Sequence, residues 1–198
     1  DIGYNNQFPL SVDILIYDIA IQGSPINGYL YLNTRDKGIL GLRNGFGLAS
    51  INVPSIYEFG GIVNLDNLVP TAGREAVSRE SVSLVTSIVQ SVESSWTSVI
   101  AKDPICDNYR NFLQYLYSHF NMAQASHINI KYANEDKYIR LGNITSLNAS
   151  EFKYADGVDS TVLAKFKNSE NNVLSISDST YRKRIQRNYL EKIGVKSI

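Results

Sequence analysis

The stretch Gly61-Ile-Val-Asn-Leu-Asp-Asn-Leu-Val-Pro-Thr-Ala-Gly-Arg-Glu-Ala-Val-Ser-Arg-Glu-Ser-Val82 decides the fold. Residues 59–65 are rich in β-prone side chains and read as a strand. A polar loop follows over 66–73, broken by Pro70. From about residue 76 the period changes. Val77, Leu84, Val85, Ile88, Val92, Trp96 and Val99 recur at helical spacing and predict one long helix with a single apolar stripe. Ser78 is placed as its N-cap, and Glu80 adds a negative charge to the first turn, where the helix dipole favours it. Eight serines between Ser78 and Ser98 keep the other face polar and nearly uncharged. Arg74 therefore stands on a loop between a strand and a helix, where its planar fork can face a phosphate. Gly73 beside it permits an unusual backbone turn. A loop ion pair with Glu75 or a neighbour is the competing reading of Arg74.

Upstream, residues 10–21 read as a strand with a bend near Asp18, and Gly23-Ser24-Pro25 as a turn. Residues 26–32, 39–42 and 47–53 read as further short strands, and the glycines between them suit a twisted sheet with tight turns or bulges. The glycines from Gly41 to Gly47 lack the Gly-Lys-Ser/Thr ending of a phosphate loop. Downstream, Asp103-Pro104 ends the long helix and a second helix is expected over 105–122. Strands at 128–132, 138–144 (the weaker) and 173–176 and helices at 160–167 and 180–193 complete the pattern, with Gly194 as the last stop. The fold class expected is α+β, with a first unit over 1–123 containing the long helix and a small α/β unit over 124–198.

Composition bounds the function. The chain has 198 residues, ample for a core, and 43% of them are hydrophobic, as in globular proteins. Nineteen basic residues balance nineteen acidic ones, so binding of nucleic acid through overall charge is not expected. The lone Cys106 excludes an intramolecular disulfide and points to an intracellular, cytoplasmic protein. No apolar run approaches the length of a membrane span, so no membrane partner is expected. The start at Asp1, without an initiator Met, suggests a piece of a longer polypeptide.

Self-contained chemistry has little behind it. His119 and His127 lack acidic company for a metal, and neither has a spacing that pairs it with Cys106 as a nucleophile. No Gly-x-Ser-x-Gly elbow occurs. The sequons at Asn143 and Asn148 are chance matches in a chain rich in Asn and Ser. The last helix carries Arg182, Lys183, Arg184, Arg187 and Lys192 against Glu191, which is either a basic patch for nucleic acid or an acidic partner, or a solvated helix face.

In its order of strand, acidic-polar turn, proline, Arg-Glu pair and long helix, the segment from Gly61 to Glu75, with Glu80-Ser81-Val82 after it, resembles the catalytic loop of the middle domain of the heat-shock protein 90 (HtpG-like) chaperones. Thr71-Ala72-Gly73 make the spacing from proline to arginine one residue shorter than is usual there, and Ser78 stands at the position of a phosphate-facing glutamine. The likeness is to a divergent prokaryotic relative, best over residues 26–100. It implies a ribosomal-S5-like first unit followed by a smaller α/β unit. It also implies that Arg74, flanked by Gly73 and Ser78, reaches the γ-phosphate of Mg-bound ATP held by a separate N-terminal ATP-binding domain. The expected role is the middle segment of an ATP-dependent chaperone, with client proteins as partners and no catalysis by this chain alone. The alternative is a non-enzymatic protein- or RNA-interaction module with an S5-like fold.

Overall fold

The computed structural model describes residues 11–157 and 172–198 and is a mixed α+β structure, with five α-helices and three sheets among those residues. The helix expected over 160–167 lies outside the described residues. Packing divides the chain between Trp96 and Thr97, inside the long helix, whereas the change of sequence texture lies between Met122 and His127. The short helices after residue 105 pack with the last helix, which sets them in the second unit.

The first unit is built on a five-stranded sheet. Its spatial order is β1 (Asp13–Ile16), β4 (Gly28–Asn33), β7 (Gly60–Leu65), β5 (Ile39–Arg43) and β6 (Phe46–Ile51). All neighbours are antiparallel except β5 and β7, which run parallel. The period of two puts Leu30, Leu32, Ile39, Ile51, Val63 and Leu65 on one buried face. Leu15, Tyr31, Ile62 and Leu40 form an in-register row on the other. Gly61 admits no other residue: its φ is 131° and a Cβ would lie 2.1 Å from the carbonyl oxygen of Tyr31.

The bend at Asp18 is real, with φ 53°, and separates β1 from β2 (Ile19–Ile21). The turn after it differs from the expected one. Gln22 and Gly23 both take positive φ, as a two-residue hairpin turn requires, so Ser24-Pro25 belong to β3 (Ser24–Ile26), paired with β2. That hairpin ribbon also ends the expected strand over 26–32 early, and the chain restarts as β4 at Gly28.

Helix α1 (Arg79–Ile100) matches the expected long helix. It is the only α-helix among the described residues of this unit, and its Val85, Ile88 and Val89 are buried. The stripe is rotated from the sequence reading: Leu84, Val92 and Trp96 are half-buried, Val99 is 54% exposed, and Ser81 and Glu93 occupy buried positions.

The second unit holds α2 (Arg110–Ser118), α3 (Met122–Ala125), β8 (Asn129–Tyr132), β9 (Tyr138–Arg140), α4 (Leu141–Leu147), β10 (Phe152–Ala155), β11 (Asn172–Ser175), α5 (Thr180–Lys192) and β12 (Lys196–Ser197). Its sheet order is β12-β10-β11-β8-β9, parallel over the first three strands and antiparallel over the rest. The helix expected over 105–122 is broken. Asp103 accepts the Ile105 amide at 3.0 Å and the Tyr109 hydroxyl at 3.0 Å, which leaves a short 3₁₀ turn before α2. Asn121 then starts α3 by accepting the Gln124 amide at 3.2 Å. The weak strand expected over 138–144 stops at Arg140, where α4 begins. Gly194, with φ 81°, closes α5: its amide donates to Glu191 and that of Val195 to Leu190, so two orphan carbonyls at the helix end are satisfied.

Candidate functional site

The loop between β7 and α1 is a closed, stapled structure. The Val69 amide donates to the Ser81 hydroxyl at 2.9 Å, and the Val69 carbonyl accepts the Ser78 amide at 2.7 Å. Pro70 and Val77 form an antiparallel bridge, and the Thr71 amide donates to the Ala76 carbonyl at 2.9 Å. Ladder bonds thus pin both limbs to the start of α1. The tip, residues 72–75, is exposed.

Arg74 sits on that tip, and its amide donates to the Thr71 carbonyl at 2.9 Å. Its φ is 59°, a left-handed conformation that costs an L-residue about 1–2 kcal/mol. The special turn therefore falls on Arg74 itself. Gly73 serves differently: a Cβ there would lie 2.6 Å from a Glu75 carboxylate oxygen, so its missing side chain lets Glu75 fold back over the backbone. Among the described residues Arg74 makes no ion pair, with Glu75 or any other acid.

Ser78 has a definite task as N-cap of α1. Its hydroxyl accepts the Ser81 amide at 3.2 Å and lies 3.1 Å from the Ser81 hydroxyl. That hydroxyl is bound into the stapling network, so Arg74 is the group the loop presents outward.

Sequence reasoning missed Glu93. It is 4% exposed, and its Oε1 accepts the Ser55 hydroxyl at 2.7 Å and the amides of Ile56 at 2.7 Å and Tyr57 at 3.1 Å. The carboxylate ties the segment before β7 to the middle of α1. One signal was present: an acid four residues after Val89, on the same helix face as Val85 and Val89.

The other candidates resolve into packing. Cys106 is buried, and burial first, with the Asp107 charge second, pushes its thiol up to about 12, so it holds no thiolate at neutral pH. His119 stacks on Tyr115 at 4.8 Å. The five cations of α5 each have a partner within the chain. Arg182 is buried and donates to the Asp107 carbonyl, while Lys183 and Arg187 both pair with Asp156. Arg184 lies over the Tyr117 ring at 4.5 Å and Lys192 over Phe120 at 5.0 Å.

No helix among the described residues is long and apolar enough to cross a membrane. A scan against models of known protein families gave no match, and neither did a search of curated proteins.

Proposed function

We propose that this chain is the middle segment of a divergent, ATP-dependent chaperone of the heat-shock protein 90 kind, acting in the cytoplasm. In this reading the unit that ends at Trp96 is the S5-like one, and the second unit is the smaller α/β part. The observation that carries it is Arg74: an exposed guanidinium without an ion pair, on a strained tip whose limbs are bonded to the start of α1. An arginine that must meet a phosphate from outside needs a rigid support and a fork without a partner.

Arg74 would approach the γ-phosphate of Mg-ATP held by an N-terminal ATP-binding domain and stabilise charge on the transferring phosphoryl group. The cap role of Ser78 leaves that work to Arg74, with Gly73 shaping the tip. Client proteins are the partners. The chain is not an ATPase by itself, because one arginine does not enclose a nucleotide. The alternative is a non-enzymatic protein- or RNA-interaction module with an S5-like fold, in which the last helix would present Arg184 and Lys192, both exposed.

Calorimetry with Mg-ATP tests the division of labour. The isolated chain is expected to give no binding heat, and fusion behind an ATP-binding domain is expected to raise phosphate release. Micromolar binding by the isolated chain overturns the reading.

A further inference from the structure

Helices α2 and α5 pack against each other, and the surface they share carries charge of one sign. Residues 109–134 and 179–190 contain no Asp or Glu, in a chain whose charges balance overall. On α5, Arg184, Asn188 and Lys192 recur every fourth residue on one face, with Tyr181 one turn earlier. That face meets α2 at Tyr117, whose ring stands edge-on to Tyr181 at 5.3 Å and lies 4.5 Å beneath the Arg184 guanidinium. Lys192 lies 5.0 Å over Phe120, just past the end of α2. Arg110 begins α2, two turns before Tyr117 on the same side. Of the bordering acids, Glu191 accepts the Tyr154 hydroxyl at 3.4 Å, and Asp178 precedes the N-cap Ser179.

The two sides of α5 differ in what holds their cations. Lys183 and Arg187 face Asp156, whose carboxylate answers both charges. Arg184 and Lys192 rest on rings, and a ring holds a cation in place without cancelling its charge. Both are exposed, as is Arg110, and among the described residues none of the three makes an ion pair. Arg184 and Lys192 thus present two positioned positive charges about 12 Å apart along the helix axis.

We propose that this face of α2 and α5 binds an acidic polypeptide segment, whose carboxylates meet Arg184 and Lys192, with Arg110 extending the row. Charge names the occupant. An acid-free face with cations that lack counter-charges attracts carboxylates and turns away basic chains. The rings decide against single-stranded RNA, which is held by stacking bases on open aromatic faces. Tyr117 and Phe120 are half-buried and already carry a cation over the ring. The span also fits, since acids four residues apart on one side of an extended chain stand about 13 Å apart. No residue of the 69–78 loop takes part, so the inference stands apart from the reading of Arg74, and each fails on its own experiment.

The test is fluorescence anisotropy on the full chain with a labelled, capped peptide of about ten residues alternating glutamate and serine. The control is the same peptide with glutamine for glutamate. The glutamate peptide should bind at least about tenfold more tightly at low salt, and that preference should collapse at about 1 M salt. Arg184→Gln should weaken its binding at least about fivefold with the melting temperature retained. Lys183→Gln, on the Asp156 side, should change it less than about twofold. Equal binding of the two peptides to the unaltered chain overturns the proposal without recourse to any variant. Equal losses from Lys183→Gln and Arg184→Gln also overturn it, by making the attraction a property of the whole helix. Tighter binding of a uridine RNA of similar length gives the face to nucleic acid and overturns it as well.

Discussion

Oε1 of Glu93, in the middle of α1, lies 2.7 Å from the amide nitrogen of Ile56. The same oxygen accepts the Ser55 hydroxyl and the Tyr57 amide, so one buried carboxylate organises the segment leading into β7. β7 in turn delivers the loop that carries Arg74, which makes Glu93 part of the scaffold beneath the candidate site.

Removing that acceptor strands donors in the interior. Glu93→Ala is expected to destabilise the chain by about 2–3 kcal/mol in urea denaturation. Glu93→Gln keeps a carbonyl oxygen in place and should cost about 1 kcal/mol. Equal losses in the two variants would mean that packing, not hydrogen bonding, holds the segment.

Cys106 gives a probe of opening. Its thiol is buried and pushed up to about 12, so a disulfide reagent at neutral pH should react only as the second unit opens. Reaction at the rate of a free thiol in the native chain would contradict the placement of Cys106.

His127 sets a pH dependence. Burial first, and the Arg140 charge second, lower its pKa from the usual 6.5. Below about 6.5 the unfolded chain binds a proton that the folded chain resists, so stability is intact above that pH and falls as the pH drops toward the folded value. His127→Gln should flatten this part of the stability profile. An NMR titration should place His127 below 6.5.

The sequence carried the elements that rest on local rules. The 3.6 period found α1, Ser78 was placed correctly as its cap, and Gly194 ended α5 as expected. The face of α1 was less legible, because a buried Glu93 and Ser81 are invisible to a reading that counts apolar residues. The breaks in the helix expected over 105–122 are not legible from residue type, because side-chain hydrogen bonds set them: Asp103 accepts the Ile105 amide and the Tyr109 hydroxyl ahead of α2, and Asn121 caps the separate α3. At the site, the position of Arg74 between strand and helix was legible. Its positive φ was not, since nothing in the residue type marks it and the glycine beside it drew the turn to itself.

The strain at Arg74 separates stability from activity. Arg74→Gly relieves the left-handed conformation and should leave stability unchanged or raise it by up to about 1 kcal/mol. Arg74→Ala keeps that conformation and removes only the guanidinium, so the melting temperature of the chain should hardly move.

The decisive measurement for the proposed role is ATP turnover by a polypeptide in which this chain is placed behind an ATP-binding domain of the heat-shock protein 90 kind, with Arg74 intact and as Arg74→Ala. A phosphate-reaching arginine predicts a fall in the rate constant of at least about 10³-fold with the melting temperature preserved. Undiminished hydrolysis by Arg74→Ala, with a large drop in melting temperature, would contradict the account and make Arg74 a structural residue of the loop.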